Sequence, residues 1–358
     1  MKKLLFVFFL QLLVLVVLAQ APEGYYSSAY GTNKAQLKTA LYEIIRGHTV
    51  RSYDNLWTDF QTTDKREDGK VWDMYSICSF TFVSKQCGNY SGVCDCYNRE
   101  HSFPKSWFDD ASPMYTDLFH LYPTDGYTNG RRGNYPFGEV GSVTWSGNNG
   151  SKLGSATSGL GYIGTVFEPA DEYKGDFART YFYMVTRYDN VVASWYRNAE
   201  AKPTLDGTTY PAFTSWSQAM LLKWHRQDPV SEKETDRNNA VFGIQHNRNP
   251  FIDHPELAEY IWGNYKDDAW NYLPTGTNEA KTIVFSISPN PAKTHIEVSI
   301  NLSESATYTI YNLSGIMLLT DNLSPEKTIS IESLQNGMYL LEIQNKSGRS
   351  ITKFIVSQ

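Results

Sequence analysis

The sequence predicts an α+β domain followed by a small C-terminal β-sandwich, on an exported chain. Three observations carry this: an apolar leader, apolar residues at helical spacing on both sides of a middle that lacks it, and a C-terminal stretch in which apolar and polar residues alternate.

The leader begins with Lys2-Lys3 and is apolar from Leu4 to Leu18 apart from Gln11, with Val17 and Ala19 before a cut ahead of Gln20 or Ala21. Residues 1–19 therefore read as a secretory signal peptide. The run is shorter than the roughly 20 residues that span a bilayer. No later run is longer, so no stable membrane span is expected, and the mature chain is expected to be secreted or attached at the cell surface. With 358 residues, two domains are expected. An aromatic content of 15% excludes a disordered chain. A formal net charge of -6 excludes a broadly basic nucleic-acid-binding surface, so a nucleic-acid site would have to be local.

The large domain is expected over 21–262. Leu37, Leu41, Ile44 and Ile45 predict a helix over 34–46. Residues 72–164, rich in Gly, Asn, Ser and Tyr, read as loops and short strands with one or two short helices. Residues 141–164 read as a long loop or hairpin turning at Asn148-Asn149-Gly150. Further helices are expected over 177–188, 215–226 and 231–246. The last opens with Ser231 and Glu234 at capping-box spacing, and Pro250 stops it. Residues 263–284 contain Asn271, Pro274, Gly276 and Asn278 without apolar periodicity, and read as a linker. In 285–358, strands are expected over 295–300, 307–311, 328–331, 338–343 and 351–356.

Export permits disulfides. Cys78, Cys87, Cys94 and Cys96 leave two natural pairings: Cys78–Cys96 with Cys87–Cys94, or Cys78–Cys94 with Cys87–Cys96. A zinc knot is disfavoured, because the spacing lacks the usual pair-then-pair form.

The densest reactive cluster is Asn98-Arg99-Glu100-His101. Phosphodiester hydrolysis needs a base to activate water and a cation to neutralise charge on the phosphate. Glu100 is a hard oxygen ligand, and His101 can take a proton near neutrality. On a strand these neighbours point to opposite faces, so a bend or strand end must bring them to one site. Downstream, Asn129 offers an amide oxygen, Arg132 a bidentate phosphate contact, and Gly130 and Gly133 close backbone approach. Taken alone, each has a plainer reading: Glu-His pairs are common on surfaces, His120 reads as a buried hydrogen-bonded histidine, and Arg131 as solvated.

The combination resembles the endonuclease I family of secreted nucleases, of the His-Me finger (ββα-metal) type. The matching stretches are Asn98-Arg99-Glu100-His101 with Pro104-Lys105-Ser106, Asp117 to Leu121 with Pro123, and Asn129 to Asn134. They continue through Phe167-Glu168-Pro169, Trp224-His225 and Asp228-Pro229 to the block from Gln245 to Asp253. The resemblance implies a ββα-metal core with surrounding helices. It implies His101 as general base, Glu100 and Asn129 as ligands of one magnesium ion (manganese or calcium as alternatives), and Arg132 as a phosphate contact. Arg99 would be a further phosphate or structural contact, with Asn98, His120 and Asn134 in support. The substrate would be DNA, and RNA as well, cut with little sequence preference by a monomer. Two positions depart from the family: Tyr97 stands where it usually has Trp, and Phe119 where it usually has His. Phe119 motivates the alternative of a weak or inactive surface protein that binds nucleic acid or glycan.

Ser288-Pro289-Asn290-Pro291, Tyr311 to Gly315, Leu334 to Tyr339 and Lys353 to Val356 resemble the type A sorting domain of the type IX secretion system of Bacteroidetes. That implies the type IX machinery as partner.

Overall fold

The computed structural model describes residues 21–271, 285–300, 306–312, 317–323, 327–345 and 348–357. The expected signal peptide and the linker from residue 272 onward lie outside the described residues. The chain divides into two compact units, with the boundary between Asn271 and Tyr272.

The first unit is built around a buried helix. Helix α1 (Lys34–Ile45) buries Leu37, Leu41 and Ile45 at helical spacing, as its sequence predicts, and Lys38 on the same face is paired with Asp189. A short α2 (Leu56–Thr63) follows; two turns are too few for a periodic signal, and the sequence does not announce it. Two strands, β1 (Tyr97–His101) and β2 (Leu121–Asp125), pair antiparallel and lead directly into α3 (Gly126–Arg132). A second antiparallel sheet, in the order β3 (Val140–Ser146), β4 (Lys152–Ala156) and β5 (Thr165–Glu168), contains the expected hairpin. Its turn includes Gly150 at φ +93, a conformation that suits glycine.

Helix α4 (Lys174–Arg187) buries every residue after its first and packs against α1 and α5 (Ser215–Gln227). Helix α6 (Glu232–Gln245) carries the capping box expected from Ser231 and Glu234, and ends on His246 in the left-handed region. The short α7 (Pro250–Asp253) and α8 (Leu257–Ile261) complete the unit. Residues 263–271, read from composition as the start of the linker, are joined to this unit instead. Trp270 is buried, and its backbone exchanges hydrogen bonds with Gly31 and Thr32 at 2.8 Å each.

The disulfides are Cys78–Cys94 and Cys87–Cys96, the second of the two pairings left open by spacing.

The second unit has a three-stranded and a four-stranded antiparallel sheet. The first has the order β10 (Thr328–Ser330), β7 (His295–Ile300), β6 (Phe285–Ser288). The second has the order β12 (Gly348–Val356), β11 (Gly337–Asn345), β8 (Thr307–Asn312), β9 (Met317–Asn322). Ile296 and Val298 from one sheet and Ile310, Leu341, Ile343 and Phe354 from the other share one core, as a sandwich requires. Strands β6 and β9 were not expected; β9 is largely exposed and lacks a clean alternation.

Candidate active site

The β1–β2–α3 unit is held at its corners by backbone and side-chain hydrogen bonds. Asp125 caps α3, accepting from the Thr128 N–H and hydroxyl at 2.8 Å each. The same carboxylate accepts from the Cys94 N–H at 2.7 Å, and the Gly126 N–H donates to the Cys96 carbonyl at 2.9 Å. The disulfide-bonded segment is thereby tied to the point where β2 becomes α3. Gly126 and Gly130 face Tyr90 from that segment; a Cβ on Gly130 would lie 2.4 Å from the Tyr90 hydroxyl. Glycine at 130 thus admits a tyrosine, rather than the ligand expected from sequence. Gly133 has φ +57 as the helix ends.

Alternation along β1 places Asn98 and Glu100 on one face, Arg99 and His101 on the other. The side chains of the two faces have different partners.

On the first face, the Asn129 amide Nδ2 donates to Asn98 Oδ1 at 2.7 Å. With Nδ2 so engaged, Oδ1 is the atom of Asn129 suited to ligate a cation. Glu100 is 4% exposed. It accepts from the Tyr75 hydroxyl at 2.9 Å, and Arg132 Nε lies 3.5 Å from its Oε1. Burial raises the Glu100 carboxyl above its ordinary value, while Arg132, Tyr75 and Asn129 pull it back down. Arg132 is buried, and its terminal nitrogens donate to the carbonyls of His101, Ser102 and Gly133. Expected as a phosphate contact, it is found bracing the chain that leaves β1, beside Glu100.

A buried carboxylate and a pinned amide oxygen are hard donors. Two such donors with water completing the shell suit a small divalent cation, so the residues fit a magnesium-type site. A cation there would also offset the burial of Glu100.

On the second face, His101 is 6% exposed and its Nε2 lies 3.0 Å from the Tyr115 carbonyl. A carbonyl only accepts, so Nε2 carries the hydrogen and Nδ1 presents the lone pair. The imidazole is held well below the usual histidine value, first by burial and then by neighbouring His120. Burial thus favours the neutral imidazole. His120 is fully buried with Nε2 donating to the Met114 carbonyl at 2.7 Å, the hydrogen-bonded arrangement expected of it.

Arg99 donates to the Tyr53 carbonyl at 2.8 Å and lies over the Tyr53 ring at 3.6 Å. Asn134 is exposed just beyond α3, and Arg131 is exposed with its guanidinium donating to the Tyr127 hydroxyl at 2.7 Å. Phe119 is buried against the Tyr183 ring at 4.6 Å and lines a small pocket with Arg237 and Asn249. Its side chain is a packing element.

Sequence reasoning missed Tyr75, Tyr53 and Tyr115. Each comes from a loop or a single 3-10 turn, and no spacing rule links it to β1.

The profile described as Endonuclease I matches residues 33–256, and that described as a secretion system C-terminal sorting domain matches 286–357. The chain is 39% identical over 243 residues to an extracellular ribonuclease of Bacillus amyloliquefaciens, covering 67% of this chain and 78% of that one. It is 36% identical over 245 residues to an extracellular ribonuclease of Bacillus subtilis (strain 168), with the same coverage. An extracellular deoxyribonuclease of Aeromonas hydrophila is 27% identical over 146 residues, covering 40% of this chain and 52% of that one.

Proposed function

The chain belongs to the endonuclease I family and is a secreted or cell-surface nuclease, a phosphodiester hydrolase with a type IX sorting domain; on that premise we propose that it cuts DNA and RNA internally, with His101 as general base and a divalent cation at Glu100 and Asn129. The observation that carries this reading is the commitment of His101 Nε2 to the Tyr115 carbonyl, which leaves Nδ1 to take a proton.

A phosphate bound at the end of β1 would lie within reach of both faces. There, Nδ1 takes a proton from the attacking water as the new P–O bond forms and the P–O bond to the leaving 3′ oxygen breaks, that oxygen taking a proton from solvent water. When bound, magnesium supplies positive charge to the phosphoryl oxygens as negative charge builds on them. Glu100 and Asn129 would hold that charge at the strand end, Arg132 favours the ionised form of the Glu100 carboxylate against its burial, and Asn98 keeps the Asn129 amide from flipping. The nucleophile is water, so the sugar 2′-hydroxyl takes no part, and both DNA and RNA fit.

The test is cleavage of supercoiled plasmid and of an RNA of similar length by the mature protein. Nicking with magnesium or manganese that stops with chelator is expected for both. No chelator-sensitive cleavage of either polymer with any divalent ion would refute the reading.

A further inference from the structure

The face of β1 that bears His101 is lined by aromatic rings from end to end. Tyr97 meets the edge of Trp57, with ring centroids 5.5 Å apart. Arg99 lies between Trp57 and Tyr53, its guanidinium 4.5 Å and 3.6 Å from the two ring centroids. Tyr53 in turn stacks on Tyr115 at 4.7 Å and 27°. Both rings lie nearly parallel to the His101 imidazole, Tyr115 at 5.1 Å and 26°, Tyr53 at 6.2 Å and 13°. Tyr53, Tyr115 and His101 thus form a three-ring cluster, each ring near-parallel to the other two, and Arg99 and Trp57 extend it from Tyr53.

A hydrogen bond to Nε2 anchors one atom of the imidazole and leaves the ring free to rock about that contact. Parallel rings on its face remove that freedom, because rocking would drive the imidazole into them or open a gap. With the hydrogen bond and the stack together, the direction of the Nδ1 lone pair is fixed. Tyr115 supplies both restraints. Tyr53 supplies only the second, and Arg99 holds Tyr53 by ring and carbonyl at once.

We propose that Tyr53, clamped by Arg99 and Trp57, is a positioning residue that fixes the plane of the His101 imidazole. This rests on His101 being the base. It gives Arg99 a role through Tyr53 instead of direct contact with phosphate.

The experiment compares Tyr53→Leu and Tyr53→Phe with wild type on a short oligonucleotide, with magnesium saturating. Leucine keeps apolar bulk and removes the plane; phenylalanine keeps the plane. Misaiming a reacting group by about 1 Å costs up to roughly 10²-fold. The expected result for Tyr53→Leu is a fall in kcat of about 10-fold to 10²-fold with KM unchanged. Its melting temperature should stay close to wild type, and the ring-current shift of the His101 carbon-bound protons should be lost in NMR spectra. Tyr53→Phe should restore kcat and that shift. Wild-type kcat in Tyr53→Leu, a loss confined to KM, or a Tyr53→Phe variant as slow as Tyr53→Leu would overturn the proposal. An active His101→Ala protein would instead overturn the reading of the base, so the two failures are distinct.

Discussion

Glu100 and His101 are neighbours in sequence, yet they are held by opposite means. Glu100 is surrounded by groups that give hydrogen bonds or charge: the Tyr75 hydroxyl, the Arg132 guanidinium and the Asn129 amide. His101 is held by an acceptor, the Tyr115 carbonyl, and by ring faces. The difference matches what the proposed roles require of each group. A ligand for a cation has to remain an anion in a buried setting, which takes donors and a nearby positive charge. A base has to remain neutral with one lone pair free and aimed, which takes an acceptor on its other nitrogen and packing on its faces. One five-residue strand meets both needs because alternation gives it two unlike sides.

This contrast can be broken one face at a time. The largest effect is expected from His101→Ala, which removes the base outright. Cleavage should fall by about 10²-fold to 10⁴-fold while magnesium binding by calorimetry stays intact. Loss of the ion along with activity would show that the faces are not separate. Glu100→Gln keeps the shape of the other face and removes its charge. Cleavage at fixed magnesium should drop by roughly 10²-fold, recovering partly as magnesium is raised, because the cation contributes several kcal/mol. A magnesium dependence like that of wild type would contradict the assignment. Tyr75→Phe removes one donor to the carboxylate and should weaken ion affinity by about 10-fold, with kcat restored at saturation.

The smallest effect lies away from both faces and serves as a control. His225 is buried, accepts from Arg179 at Nδ1, and is held down to about 4 by burial first and Arg179 second. Its folded value lies below the ordinary 6.5, so the native state resists the proton. The stability this represents is present in full above pH 6.5 and is lost as pH falls toward 4, on the order of 3 kcal/mol. Thermal melts at pH 7 and pH 4 should show a smaller acid loss for His225→Gln than for wild type. Parallel losses would remove His225 from the account. Activity at neutral pH should not change.

What could be read from the sequence was local. The capping box of Ser231 and Glu234 lies within one helical turn, and α6 begins where it predicts. Leu37, Leu41 and Ile45 share a helical face, and α1 buries them. The second unit showed β7 by its alternation of buried and exposed residues, and hid β6, which is only half-buried on one side, and β9, which is exposed along most of its length. At the site, residue type and order pointed to Glu100, His101 and Asn129 through resemblance to a family. Direction was not legible. Arg99 and Arg132 are both cations near the cluster, and only the fold reveals that Arg99 lies on the Tyr53 ring while Arg132 is buried behind Glu100. Tyr75 is 25 positions from Glu100, and Tyr53 is 46 from Arg99; such pairings are set by how loops cross β1. Residues 263–271 misled for a related reason. Their composition is that of a linker, yet Trp270 makes a strand-like bridge to Thr32 and Asp267 pairs with Lys34 of α1.

The central claim is that the two faces of β1 act on one phosphate in one step. The most direct test is a double-mutant cycle on cleavage rate with wild type, His101→Ala, Glu100→Gln and the double variant, at saturating substrate and fixed magnesium. Groups that act as a unit are not additive, so the double variant should cleave within a few-fold of the slower single variant. A double variant slowed by the product of the two single effects would mean that Glu100 and His101 act independently, and would contradict the claim.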